Sequence, residues 1–192
     1  IHPAQASPTV TAYARWKSST RKRGAHGAKA PAWRLASNGT PDWVLALWAV
    51  WSAGAVPVLG NRWWSDKEAQ HSLKLVRPRV VITDAPGLAA GFAGPVLDIT
   101  TLADCFGADS AGLPDVPGPT DEEAPAVILF TSGSTGMPKA VELPFRSVVA
   151  NQQNVLARSR QLPPLIPADG PQPVTLVSTP LFHIGAFATL IT

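Results

Sequence analysis

Residues 130–139 read FTSGSTGMPK, flanked by AVIL before and AVEL after. Four hydroxyl side chains (Thr131, Ser132, Ser134, Thr135), two glycines (Gly133, Gly136) and Lys139 fall within this stretch. The set suits phosphate chemistry. Glycines let the backbone take positive φ and come close to a ligand. Successive N–H groups in such a turn form an anion-binding nest, and hydroxyls donate without adding negative charge. Lys139 supplies one cation. A Walker loop needs Lys directly after its last Gly, and here Met137 and Pro138 intervene. The dinucleotide fingerprint G-x-G-x-x-G is not met either. The plainer alternative is a flexible Ser/Gly turn joining two strands.

The elements around this stretch decide where it sits. AVILF, residues 126–130, is apolar at every position, as a strand of a buried parallel sheet is. The loop therefore leaves the end of a buried strand, and in open parallel sheets ligands bind outside the carboxyl ends of strands. Upstream, Pro41 and Asp42 suit a first helical turn, which predicts a buried helix over 42–53 ended by Gly54. AVPVL (55–59) then reads as a short strand. Ser65 and Glu68 stand at capping-box spacing and predict a helix over 65–76. Pro78 stops it, and RVVITD (79–84) and GPVLDIT (94–100) are candidate strands. Residues 107–124, rich in Pro, Gly and acids, predict a surface connection. A helix is expected over 145–160 and a Pro-rich loop over 162–173. VTLVSTPLFH (174–183) reads as a further strand running into a helix near Gly185. Strands alternating with helices imply an α/β layered fold with a mainly parallel sheet.

Charge is distributed unevenly along the 192 residues. Seven of the sixteen Lys and Arg, and none of the thirteen Asp and Glu, lie in residues 1–41. Such an arm could bind nucleic acid or an anionic membrane; the alternative is a disordered or non-native leader. No nucleic-acid motif accompanies it, and the expected division is a basic leader over 1–35 and a folded part over 36–192. The uncharged run 43–60 raises the question of a membrane span, but Ser52, Gly54 and Pro57 interrupt it and favour a helix followed by a strand. The single cysteine, Cys105, allows no internal disulfide, and with no secretory signal pattern the expected location is cytoplasmic.

The order Thr-Ser-Gly-Ser-Thr-Gly-x-Pro-Lys after a buried strand resembles the phosphate-binding loop of the adenylate-forming superfamily, which includes acyl-CoA synthetases, luciferases and peptide-synthetase adenylation domains. STPLFHIGAF (178–187) is similar to that family's next motif, in which a His sits beside the acyl pocket; PDWVLALWAVWSAGAVPV is a weaker match to an early helix and strand. The likeness covers roughly residues 36–192. It implies ATP-dependent activation of a small-molecule carboxylic acid to an acyl-adenylate, then transfer to a thiol, with ATP, Mg2+ and CoA taking part. Residues 131–136 would hold the β- and γ-phosphates, Lys139 would neutralise charge on the departing pyrophosphate, and His183 would contact the acid. A lone His near an apolar run is otherwise a core or helix-start residue.

Ala140 stands where the family usually has Gly, and Phe145 where it often has His. Counterparts of its adenine segment, metal-binding acid, ribose-binding Asp and catalytic Lys are not found in these residues, so an N-terminal fragment is expected, inactive alone and prone to aggregate without the remainder. PLFHIGAF favours acyl-CoA formation, with a fatty acid as a candidate substrate, over amino-acid adenylation, whose members often carry an Asp there. Two other readings stay open: a non-catalytic remnant of a truncated or frame-disrupted gene, and a nucleic-acid-binding protein using the basic arm.

Overall fold

The computed structural model describes residues 30–105, 121–132, 136–161 and 174–191. Strand β1 (Ala32–Ala36) leads through helix α1 (Pro41–Ser52) to β2 (Val56–Leu59), then through α2 (Asp66–Val76) to β3 (Val80–Thr83) and β4 (Val96–Asp98). Strand β5 (Pro125–Thr131) and strand β6 (Lys139–Pro144) form a hairpin, followed by helix α3 (Phe145–Arg158) and the short helix α4 (Ile184–Leu190). The sheet order is β4-β3-β1-β2-β5-β6. Its first five strands run parallel, and only β6 is antiparallel.

Alternation along β1 assigns the two faces. Trp33 and Leu35 pack with Trp43, Leu47 and Val50 of α1 on one side. Ala36 packs with Ala69 of α2 and Leu88 on the other. With both faces covered, β2 and β3 are nearly continuous apolar runs: every residue of theirs except Thr83 is apolar, and all are buried.

Local chemistry sets the element ends as the sequence predicts. Gly54 ends α1 at φ +67°, a conformation that favours glycine. At α2, Glu68 N donates to Ser65 Oγ (3.4 Å) and Ser65 N donates to Glu68 Oε2 (2.8 Å), which makes a reciprocal cap. The run 43–60 divides into α1 and β2, and among the described residues no helix is long and apolar enough to cross a membrane.

Two expectations require correction. The boundary at 35/36 falls inside β1, which pairs with both β2 and β3 near the middle of the sheet. Residues 32–35 thus belong to the folded part, and Arg34, counted with the basic arm, is fully buried. The guanidinium finds a local acceptor, donating from Nη1 to the Leu88 carbonyl at 2.6 Å, with the Trp64 ring 5.5 Å away. Gly60 leaves room for it: a Cβ there would stand 3.0 Å from Arg34 Nε. The second correction concerns 174–183, where no strand forms. Strand propensity is realised against a neighbouring strand, none of the described strands pairs with this segment, and Val174 and Leu176 are 98% and 89% exposed.

The leader residues 1–29, the connection over 107–120 and the Pro-rich loop over 162–173 lie outside the described residues.

Candidate functional site

Strand β5 is held on one side by β2 and on the other by β6, with Thr131 and Lys139 as the last cross-strand partners before the turn. Directly paired residues in a ladder project to the same face, so Thr131 and Lys139 share one side of the hairpin. Both are exposed. Gly136 has φ +80°, the left-handed conformation that the sequence pattern calls for. Gly133, Ser134 and Thr135 lie outside the described residues.

Beside the hairpin opens a cleft of about 210 Å3. Thr131, Ser132 and Pro138 line it from the loop, Trp63 and Trp64 from the segment after β2, and Phe182 with His183 from the start of α4. It lies at the carboxyl ends of β2 and β5, the end at which parallel sheets bind ligands. Two of the sequence-derived groups, the 131–132 hydroxyls and His183, therefore meet in one place. Lys139 and Gly136 flank the cleft without lining it.

Aromatic packing fixes the cleft walls. Trp64 stands edge-on to Phe130 (4.7 Å between centroids), and Trp63 edge-on to Phe182 (5.5 Å). Phe182 in turn lies 4.6 Å from the His183 ring. Edge-to-face pairs of this kind add directional preference to burial. His183 is the exposed N-cap residue of α4. A seven-residue helix is marginal alone, and α4 is anchored by the buried Phe187 against Trp51 (5.9 Å) and by Gln152 Nε2 donating to the Ala188 carbonyl at 3.2 Å. Trp51 Nε1 donates to the Ala126 carbonyl at 2.8 Å, which links α1 to β5 below the loop.

The loops after β1, β2 and β3 are tied together at the same end of the sheet. Asn38 Nδ2 donates to Asp84 Oδ2 at 2.9 Å, and Arg62 Nε lies 3.6 Å from Asp84 Oδ1. Glu68, also on the cleft wall, is held below the usual carboxylate range by the Ser65 hydroxyl and then by the Ser65 backbone. His71, on α2, donates from Nε2 to the Pro138 carbonyl at 3.1 Å.

Sequence reasoning missed Trp63, Trp64 and His71. The adjacent pair of tryptophans between β2 and the Ser65 cap was a usable signal, because large aromatics placed at a strand's carboxyl end readily wall a pocket. His71 left no such signal. Among the described residues no group of three or more His, Cys, Asp or Glu comes together to hold a metal ion.

The fold and this cleft define an α/β protein with a Ser/Thr/Gly hairpin loop at the carboxyl edge of a mostly parallel sheet. Residues 34–192 match the family described as AMP-binding enzyme. The chain belongs to that family. It is 34% identical over 119 residues to phosphinothricin tripeptide synthetase PhsC of Streptomyces viridochromogenes, covering 59% of this chain and 11% of that protein. It is 29% identical over 162 residues to 2-succinylbenzoate–CoA ligase of Bacillus pumilus, covering 81% of this chain and 30% of the ligase. In fold it is similar to the solved O-succinylbenzoate coenzyme A synthetase of Bacillus subtilis in complex with AMP, with a TM-score of 0.65 at 20% identity, covering 100% of this chain and 48% of that one. The chain thus spans between about a tenth and a half of the length of these relatives.

Proposed function

We propose that these residues form the phosphate- and acid-binding part of an enzyme that activates a carboxylic acid with ATP and passes the acyl group to the thiol of CoA. One observation carries the reading. Thr131, Ser132 and His183 line a single cleft, with Lys139 the cross-strand partner of Thr131 at its edge.

In the proposed step a carboxylate oxygen attacks the α-phosphorus of ATP. The bond from that phosphorus to the bridging oxygen breaks, and pyrophosphate leaves with the electron pair. Residues 131–136 cradle the β- and γ-phosphates, and Lys139 offsets the charge that builds on the leaving group, where a fixed cation contributes most. His183 contacts the acid at the other side of the cleft. A thiolate then attacks the acyl carbonyl and AMP departs. Magnesium accompanies ATP as its counter-ion in this proposal. Among the described residues no group of three or more His, Cys, Asp or Glu comes together to hold it.

The acid is proposed to be an acyl acid without an α-amino group, since residues 180–187 (PLFHIGAF) hold no carboxylate to pair with an ammonium. Support for the acyl-transfer half comes from the likeness to a CoA ligase over 81% of the chain. The test is acid-dependent exchange of pyrophosphate into ATP by the complete enzyme containing this domain, run over fatty, aryl and amino acids. Exchange with fatty or aryl acids is expected, and exchange with amino acids alone would overturn the substrate class. No exchange with any acid would favour a non-catalytic remnant. Residues 1–192 by themselves are expected to give none above a no-protein control.

A further inference from the structure

We infer that His71 is a positioning residue for the proposed adenylation step: it pins the exit of the 131–139 loop to helix α2 and so fixes where Lys139 starts. The inference rests on the proposed role of Lys139 and adds to it a residue from a different element, 67 positions away in sequence from the atom it holds.

His71 is half-buried, and its Nε2 lies 3.1 Å from the carbonyl oxygen of Pro138. A carbonyl can only accept, so Nε2 carries the hydrogen, and both the matching neutral tautomer and the charged ring can donate. The Pro138 oxygen and the Lys139 N–H belong to one planar peptide unit. Holding the oxygen therefore orients the plane from which Lys139 departs. Pairing of Lys139 with Thr131 fixes the other side of that residue. The glycine turn at Gly136, where φ is +80°, lies just before these constraints, and Pro138 is buried.

The support is itself rigid. Helix α2 begins in a reciprocal Ser65–Glu68 cap and buries Ala69, Ser72 and Leu73 against the sheet. Glu68, one turn before His71, lines the cleft, whereas His71 does not. His71 thus acts on the site through Pro138 and makes no contact of its own with the cleft. A side chain doing this needs one donor at the reach of Nε2, and Gln offers that where Leu and the shorter Asn do not.

The test is a double-mutant cycle on adenylate formation in the complete enzyme, with melting temperature measured alongside. His71→Leu is expected to lower kcat roughly 3- to 10-fold, the effect of one lost hydrogen bond, with KM for ATP little changed. His71→Gln should recover the rate to within about 2-fold, and His71→Asn repeats the loss if the Leu variant does not fold. In a Lys139→Ala background the same change should cost less than about 2-fold, because the group being positioned is gone. Equal losses in both backgrounds would overturn the inference and make His71 merely structural. So would an unchanged rate in His71→Leu and His71→Asn while Lys139→Ala is slow, which leaves the reading of the loop intact. An unchanged rate in Lys139→Ala itself would overturn the loop reading, and the inference with it.

Discussion

Replacing Arg34 by Met removes a charge that the fold buries at a cost. The guanidinium is fully buried, and it donates from Nη1 to the Leu88 carbonyl at 2.6 Å with the Trp64 ring 5.5 Å away. Nε and Nη2 have no hydrogen-bond partner among the described residues. Burial pushes its pKa down to about 10. At about 1.4 kcal/mol per pH unit, that fall corresponds to roughly 3 kcal/mol against the charged form. Met relieves this penalty and keeps an unbranched stem of similar length. It forfeits a charge-assisted hydrogen bond of about 1.5–3 kcal/mol and a cation–π contact of about 1 kcal/mol. The opposing effects nearly cancel, so Arg34→Met should unfold within about 1 kcal/mol of the parent, as replacements of buried charges by apolar groups often do. Arg34→Ala also deletes the packed stem and should cost about 3 kcal/mol more than the Met variant. Urea unfolding at pH 7 with a common m-value decides between them. A loss of more than about 3 kcal/mol in Arg34→Met would show instead that the guanidinium is a net stabiliser.

Ser65→Ala should lower stability by about 1 kcal/mol in the same assay, through loss of the α2 cap. Ser65 holds the Glu68 pKa down, so the part of the cap that the Ser65 hydroxyl donates to the carboxylate is present above the glutamate's unfolded-chain value and is lost as pH falls through the depressed one, while the bond from Glu68 N–H to Ser65 Oγ does not titrate. The gap between the urea midpoints of parent and variant should therefore narrow in acid without closing, and a gap that widened as pH fell would contradict the assignment. Gly136→Val should slow adenylate formation in the complete enzyme more than Lys139→Ala does, since a β-branched residue resists φ +80° and its bulk blocks the approach of phosphate. A rate equal to the parent's would show that the turn does not approach the ligand.

Much of this architecture was legible because its signals are local. Strand β5 announced itself by an unbroken apolar run, α2 by Ser65 and Glu68, and the end of α1 by Gly54. The Ser/Thr/Gly loop was legible as an ordered motif, and its place at a strand end followed from the run before it. What escaped depends on contacts distant in sequence. Strand β1 has only five residues with an arginine at its centre, and a charge at a core position argues against a buried strand. The Leu88 carbonyl, the Trp64 ring and the space above Gly60 make Arg34 tolerable there. The segment 174–178 has strand-like residues, yet strand formation needs a partner that sequence does not supply. His71 reads as an ordinary polar position on a helix until the Pro138 carbonyl is brought to it.

In the proposed reaction FTSGSTGMPK holds the phosphates that leave. Rate of adenylate formation and affinity for the finished acyl-adenylate, measured side by side for Lys139→Ala in the complete enzyme, test it most directly. Lys139 is assigned to the pyrophosphate, a group the adenylate has already lost. A charge-assisted contact in a closed site contributes about 1.5–3 kcal/mol, so the rate should fall roughly 10- to 100-fold, while adenylate affinity stays within about 3-fold of the parent. Adenylate affinity falling as far as the rate would place the lysine on the AMP or acyl side and not on the pyrophosphate.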